Sequence, residues 1–139
     1  MHPAARHLVF HGAIVLLFGL LLGAPYAKAI KRDAAAHIVN SWRVAHLSLP
    51  IGATLMLATA AVLSSLAVPA WAMWLIAVAL IVSAYGFCVS TPLAAISGQR
   101  GLSSGGTGWG PLVYLGNMVG AVASIVAAVA LLVAAFVSL

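Results

Sequence analysis

Acidic residues are almost missing from this 139-residue chain: Asp33 is the single Asp or Glu, against six Lys and Arg. One carboxylate supplies neither a pair of acids for general acid–base work nor a membrane-embedded Ser-His-Asp arrangement. Nor does it supply a cluster for magnesium or calcium. Cysteine is as scarce. Cys88 stands alone, which excludes an intrachain disulfide, a Cys-rich zinc site and a C-x-x-C-H haem attachment, so any haem is held non-covalently. The 13 glycines form no phosphate-binding loop. Hydrolase and NTPase readings fall with these absences.

What remains is apolar. The chain is 65% hydrophobic and 5% charged, with a mean hydropathy of +1.20, outside the range of soluble domains. Four apolar segments follow one another, at residues 8–29, 44–66, 71–95 and 111–139. Each is long enough to cross a hydrocarbon core of about 30 Å at 1.5 Å per residue. Sheet edges have no partners in lipid and the alternation of barrel strands is absent. The expected fold class is therefore an all-α integral membrane four-helix bundle, homo-oligomeric, with the whole chain as one domain. Arg6 ahead of the first run and Gly23-Ala24 behind it imitate a signal peptide, but the run is long and the other segments need a partner for their small-residue faces.

The basic residues report topology rather than a nucleic-acid surface. Lys28, Lys31 and Arg32 lie in the first connection, Arg100 in the third, and Arg43 near the first, whereas Arg6 alone lies at the opposite ends. The positive-inside bias then puts loops one and three in the cytoplasm and both termini outside, as in a bacterial inner membrane. Anionic lipid headgroups, and not nucleic acid, are the partners this charge implies. Gly19-Leu-Leu-Leu-Gly23 and Gly116-Asn-Met-Val-Gly120 are small-x-x-x-small patterns that mark helix packing, within or between protomers. The third helix is expected to kink or stop near Thr91-Pro92. The Gly-rich loop at 97–110 is a connector or a lid. No internal repeat or pair of broken helices suggests a transporter.

The polar residues left within reach of the bilayer include His11, Arg43, His46, Tyr85, Cys88 and Asn117. Ionisable groups in a membrane helix are costly and default to function. For Arg43 snorkelling to the headgroups is the competing explanation. Arg43, His46 and Pro50 stand at i, i+3 and i+7, so they share one helix face. His7 and His11, at i and i+4, make an incomplete zinc site. Tyr85 and Cys88 are spaced to face one cavity, although Cys88 also reads as a small buried apolar residue.

The order of these motifs carries a resemblance. His11-Gly12 opening a Leu- and Gly-rich helix, Arg43-Val-Ala-His46, and the small-residue helix that follows resemble the family of small membrane isomerases that includes hydroxylaminobenzene mutase and styrene oxide isomerase. Thr91-Pro-Leu-Ala-Ala-Ile-Ser-Gly98 and the Gly-rich loop after it look more like the mutase branch. The resemblance implies ferric haem b as Lewis acid at a subunit interface of a homotrimer, His46 as its axial ligand, and a small aromatic substrate. Arg43 is then suited to a haem propionate, and Tyr85, Asn117 and His11 to orienting substrate. The epoxide-isomerase branch has an asparagine where Gly52 stands, a tyrosine that falls on Cys88 and an aspartate near Ser83, departures that weigh against epoxide isomerisation. Epoxide isomerisation with the same haem, or a non-catalytic haem-binding or structural subunit, are the alternatives.

Overall fold

The computed structural model describes residues 1–104 and 108–139. Four membrane-length helical spans run through it: Pro3–Lys31, Ala36–Leu63, Ala70–Ser97 and Gly110–Val137. The first is interrupted, so the elements are α1 (Pro3–Leu21), α2 (Gly23–Lys31), α3 (Ala36–Leu63), α4 (Ala70–Ser97) and α5 (Gly110–Val137).

The ends of these helices follow from local chemistry. Pro3 opens α1, and the Nδ1 of His2 accepts the Ala4 amide, satisfying one of the orphan donors of the first turn. The helix therefore begins before the apolar run at Leu8. At its other end Leu22 forms a turn. Pro25, three residues on, has no amide for the Leu21 carbonyl and its ring crowds that oxygen, which breaks the ladder there. Pro69 precedes α4, and Gly98, with a φ of 69°, closes it in the left-handed conformation that only glycine takes at little cost. Pro111 occupies the first turn of α5.

Two further boundaries differ from the expected ones. α3 begins at Ala36, eight residues before the continuous apolar segment, because a helical backbone satisfies its own amides whatever side chains it carries. Arg43 and His46 consequently lie two to three turns into the helix, with His46 about 15 Å from its start at 1.5 Å per residue. The third expected helix does not stop at Pro92. It continues to Ser97, while the Thr91 hydroxyl donates to the Phe87 carbonyl, 2.8 Å away. The carbonyl that Pro92 leaves without its amide is that of Cys88, four residues earlier, and packing of α4 on α5 carries the helix through that turn. The lid-or-connector question for the 97–110 loop turns on residues 105–107, outside the described residues.

Packing is asymmetric. On α3, Ala45, Leu49, Ala53, Met56, Ala60 and Leu63 recur at spacings of three and four and are buried against α1 and α4. α5 packs on α4 and approaches no other helix closely. That contact is tight because Gly86 meets Gly116 and Gly120 where a Cβ on any of them would fall about 2.9 Å from backbone or ring atoms, and Ser83 donates to the Gly120 carbonyl at 2.8 Å. The second small-residue motif thus closes a seam within the protomer. With α5 held only by α4, a cleft opens between α3 and α5. Outward residues such as Ile51 and Leu132 are 70% exposed, as expected of surfaces that meet lipid or another copy.

Hydrogen bonds fix the direction of the crossings. The His2 amide donates to Ser64 and the Ala67 amide to Ser138, gathering both termini and the second connection at one end. Asn40, Ser41, Ala94, Arg100 and Asn117 meet at the other.

Candidate functional site

The expected site residues fall into three places. His46 is half-buried on α3 where it meets α1 and α2. Its Nδ1 lies 2.9 Å from the carbonyl oxygen of Gly19, and its ring centroid is 6.1 Å from that of Tyr26. A carbonyl only accepts, so Nδ1 is the donor, and in the neutral ring the lone pair then falls on Nε2. Gly19 and Gly23, the first small-residue motif, make this approach possible: a Cβ at Gly19 would stand 2.6 Å from Pro50 Cδ, and one at Gly23 would stand 3.0 Å from His46 Cε1. His46 and Pro50 therefore do share a face, turned to α1. Arg43 is exposed and donates from Nη2 to Asn40 Oδ1 at 2.6 Å.

His11 and Tyr85 form the second place. The imidazole Nδ1 and the phenol oxygen are 2.9 Å apart, bridging α1 and α4. His7 stacks near His11, ring centroids 6.0 Å apart and 16° between planes. Among the described residues no third His, Cys, Asp or Glu joins them, so the i, i+4 histidines remain an incomplete zinc site.

The third place is the cleft between α3 and α5, floored by α4, with a volume of about 440 Å³. Val44, Ile51, Leu55, Met56, Leu80 and Phe87 make it apolar, and Ser48, Thr91, Asn117 and Ser124 supply sparse polar points. Size and lining suit a small aromatic molecule with one polar substituent. Toward the basic end it adjoins a more polar recess of about 220 Å³ formed by Asn40, Ser41 and Arg100, and Val44, Thr91 and Asn117 line both. Asn117 Nδ2 donates to the Arg100 carbonyl at 3.2 Å. Thr91 enters the sequence reading only through the Pro92 kink and the mutase-like segment, and Ser48 and Ser124 are not among the expected site residues, since isolated hydroxyls in apolar helices give no spacing signal.

At 100° per residue, Val44, Ser48, Ile51 and Leu55 lie on the side of α3 roughly opposite His46. Within one protomer, His46 and the cleft are thus separated by the body of the helix, and His11 and Tyr85 do not line the cleft. Of the five expected site residues, the structure pairs only His11 with Tyr85.

The donor set bears on a cofactor. Among the described residues no three His, Cys, Asp or Glu are gathered. A haem can be held through a single protein donor, and a half-buried imidazole whose Nδ1 is engaged by a carbonyl, with the lone pair of the neutral ring on Nε2, fits that requirement. Cys88, on α4 and packed against the core, is not placed beside His46 to compete with it.

No curated protein matches the chain. The family model described as styrene oxide isomerase matches it over residues 4–136, which takes in all four spans, His46 and the cleft. The chain belongs to the styrene oxide isomerase family, and so to a family of membrane isomerases.

Proposed function

We propose that this protein converts an arylhydroxylamine into a 2-aminophenol by intramolecular hydroxyl transfer, with ferric haem b held through His46. The observation that carries the reading is the anchored imidazole of His46, whose Nε2 lone pair is left for a metal. Bound ferric haem supplies a Lewis-acid position that polarises a substrate heteroatom.

The chain's own residues supply the rest. His46 would hold the haem through Nε2. Arg43, with only one donor occupied by Asn40, offers its remaining N–H groups to a propionate at the membrane surface. The apolar walls of the cleft take the aromatic ring and exclude water, and the Asn117 amide orients the hydroxylamino group. In the overall change the N–O bond breaks, a C–O bond forms at the adjacent ring carbon, the proton on that carbon leaves, and nitrogen regains one. Substrate and product are isomers, so no oxidant or reductant is consumed.

Two features support this substrate class over an epoxide. Gly52 opens on the cleft with nothing within 4 Å of where a Cβ would stand, so the asparagine of the epoxide-isomerase branch has no counterpart there. Ser83, near the position of that branch's aspartate, directs its hydroxyl to the Gly120 carbonyl. The family description itself favours the second reading, aryl epoxide isomerisation with the same haem.

The opposed placement of His46 and the cleft on α3 fits a homo-oligomer, a trimer by family resemblance, in which the His46 face of one copy meets the cleft of the next. The basic end, with Lys28, Lys31, Arg32, Arg43 and Arg100, is assigned to the cytoplasm of a bacterial-type inner membrane. Membranes containing the protein, supplied in parallel with phenylhydroxylamine and styrene oxide, test the reading. Formation of 2-aminophenol supports it, formation of the aryl aldehyde alone transfers it to the epoxide reading, and turnover of neither returns the chain to a non-catalytic subunit.

A further inference from the structure

Three features that ordinarily weaken a membrane helix converge on one side chain. The first is the break at Leu22, where Pro25 removes the amide that would serve Leu21. In an uninterrupted helix the Gly19 carbonyl would serve the amide of Gly23, four residues on. Here, in the last turn of α1, it receives His46 Nδ1 at 2.9 Å. The second is the glycine pair. Gly19 allows Leu49 and Pro50 to approach to distances a Cβ would forbid, and Gly23 leaves room for the imidazole edge, with Cε1, Nδ1 and Nε2 all within 3.5 Å of where its Cβ would be. The third is Pro50, inside α3, which has no amide for the carbonyl of His46 itself, four residues earlier, and sets its ring against Gly19.

We propose that the α1–α2 break, with Gly19 and Gly23, is a positioning element that holds His46 in the Nδ1–H tautomer with Nε2 presented as a metal donor. The Gly19 carbonyl fixes the proton. The missing Cβ at Gly23 leaves room for the Cε1 edge of the ring to keep that contact. A purely steric glycine motif would let helices approach with no preference for either imidazole tautomer, so the two explanations separate on a property of the ring. The proposal rests on the reading of His46 as the haem ligand, but its first readout does not need haem.

The test uses the full-length chain in detergent, haem-free, with 15N-labelled histidine and the His46 signals assigned by their loss in a His46→Gln variant. The wild-type protein is expected to carry the His46 proton on Nδ1, and Gly23→Ala is expected to move a large fraction of it to Nε2. Haem titration followed in the visible region is then expected to show binding about tenfold weaker in Gly23→Ala, with helical content by circular dichroism unchanged. A wild-type proton on Nε2 overturns the proposal without any variant. So does an unchanged tautomer in a folded Gly23→Ala protein, or equal haem affinity in the two. Failure of both proteins to bind haem, with the tautomer result as expected, instead removes the haem reading and leaves the ring-positioning role standing.

Discussion

The imidazole of His46 caps the Gly19 carbonyl across the α1–α3 seam at 2.9 Å, so the residue best suited to hold a metal is fixed by a helix end and not by another side chain. A carbonyl has no alternative protonation state, which makes it a firmer guide to the ring than a carboxylate or hydroxyl would be. The cleft lies on the opposite face of α3.

Gly86→Ala and Gly116→Ala both place a methyl about 2.9 Å from backbone or Cβ atoms of the facing helix, where no flexible side chain can yield. Each should destabilise the protein by about 1–3 kcal/mol through overpacking of the α4–α5 seam. Gly52→Ala, whose methyl meets nothing within 4 Å, should leave stability close to wild type. Thermal or denaturant unfolding in one detergent checks all three.

Tyr85→Phe removes the partner of His11 while keeping the ring. An interhelical hydrogen bond in a membrane contributes on average about 0.6 kcal/mol, so a loss of that order in stability is expected. Because neither residue lines the cleft, haem content and KM should stay at wild-type values. A tenfold fall in kcat/KM in a stable Tyr85→Phe protein would restore the pair to the substrate site.

Asn117→Ala deletes the amide that stands where the apolar cleft meets the polar recess and that donates to the Arg100 carbonyl. Loss of one hydrogen bond of about 1 kcal/mol corresponds to roughly fivefold in affinity. KM for the arylhydroxylamine should rise by about that factor, with haem content unchanged. Asn117→Asp, which retains acceptors but loses the donor, should behave like alanine if donation is what matters.

The spans were legible in the sequence because hydropathy over some 20 residues needs no knowledge of a partner. The helix break was less so: an apolar window from Leu8 to Ala29 averages over Pro25, although that proline was the available signal. Boundaries at the basic end were missed for a related reason, since polar residues such as Asn40 and Arg43 remain helical beyond the lipid-soluble stretch. Site pairings were the least legible. Gly19 and His46 lie 27 residues apart and His11 and Tyr85 lie 74 apart, and which helix faces meet depends on rotations that no local pattern encodes. The face shared by His46 and Pro50 could be read from spacing alone. That it turns toward Gly19, and away from the cleft, could not.

The most direct test of the account is the visible absorption spectrum of the detergent-purified full-length protein beside that of His46→Ala. The account predicts a Soret band with haem near one equivalent per site in the wild type, and its loss, with helical content retained, in the variant. A His46→Ala protein that keeps full haem content, or a colourless wild-type protein that still forms 2-aminophenol, would contradict it.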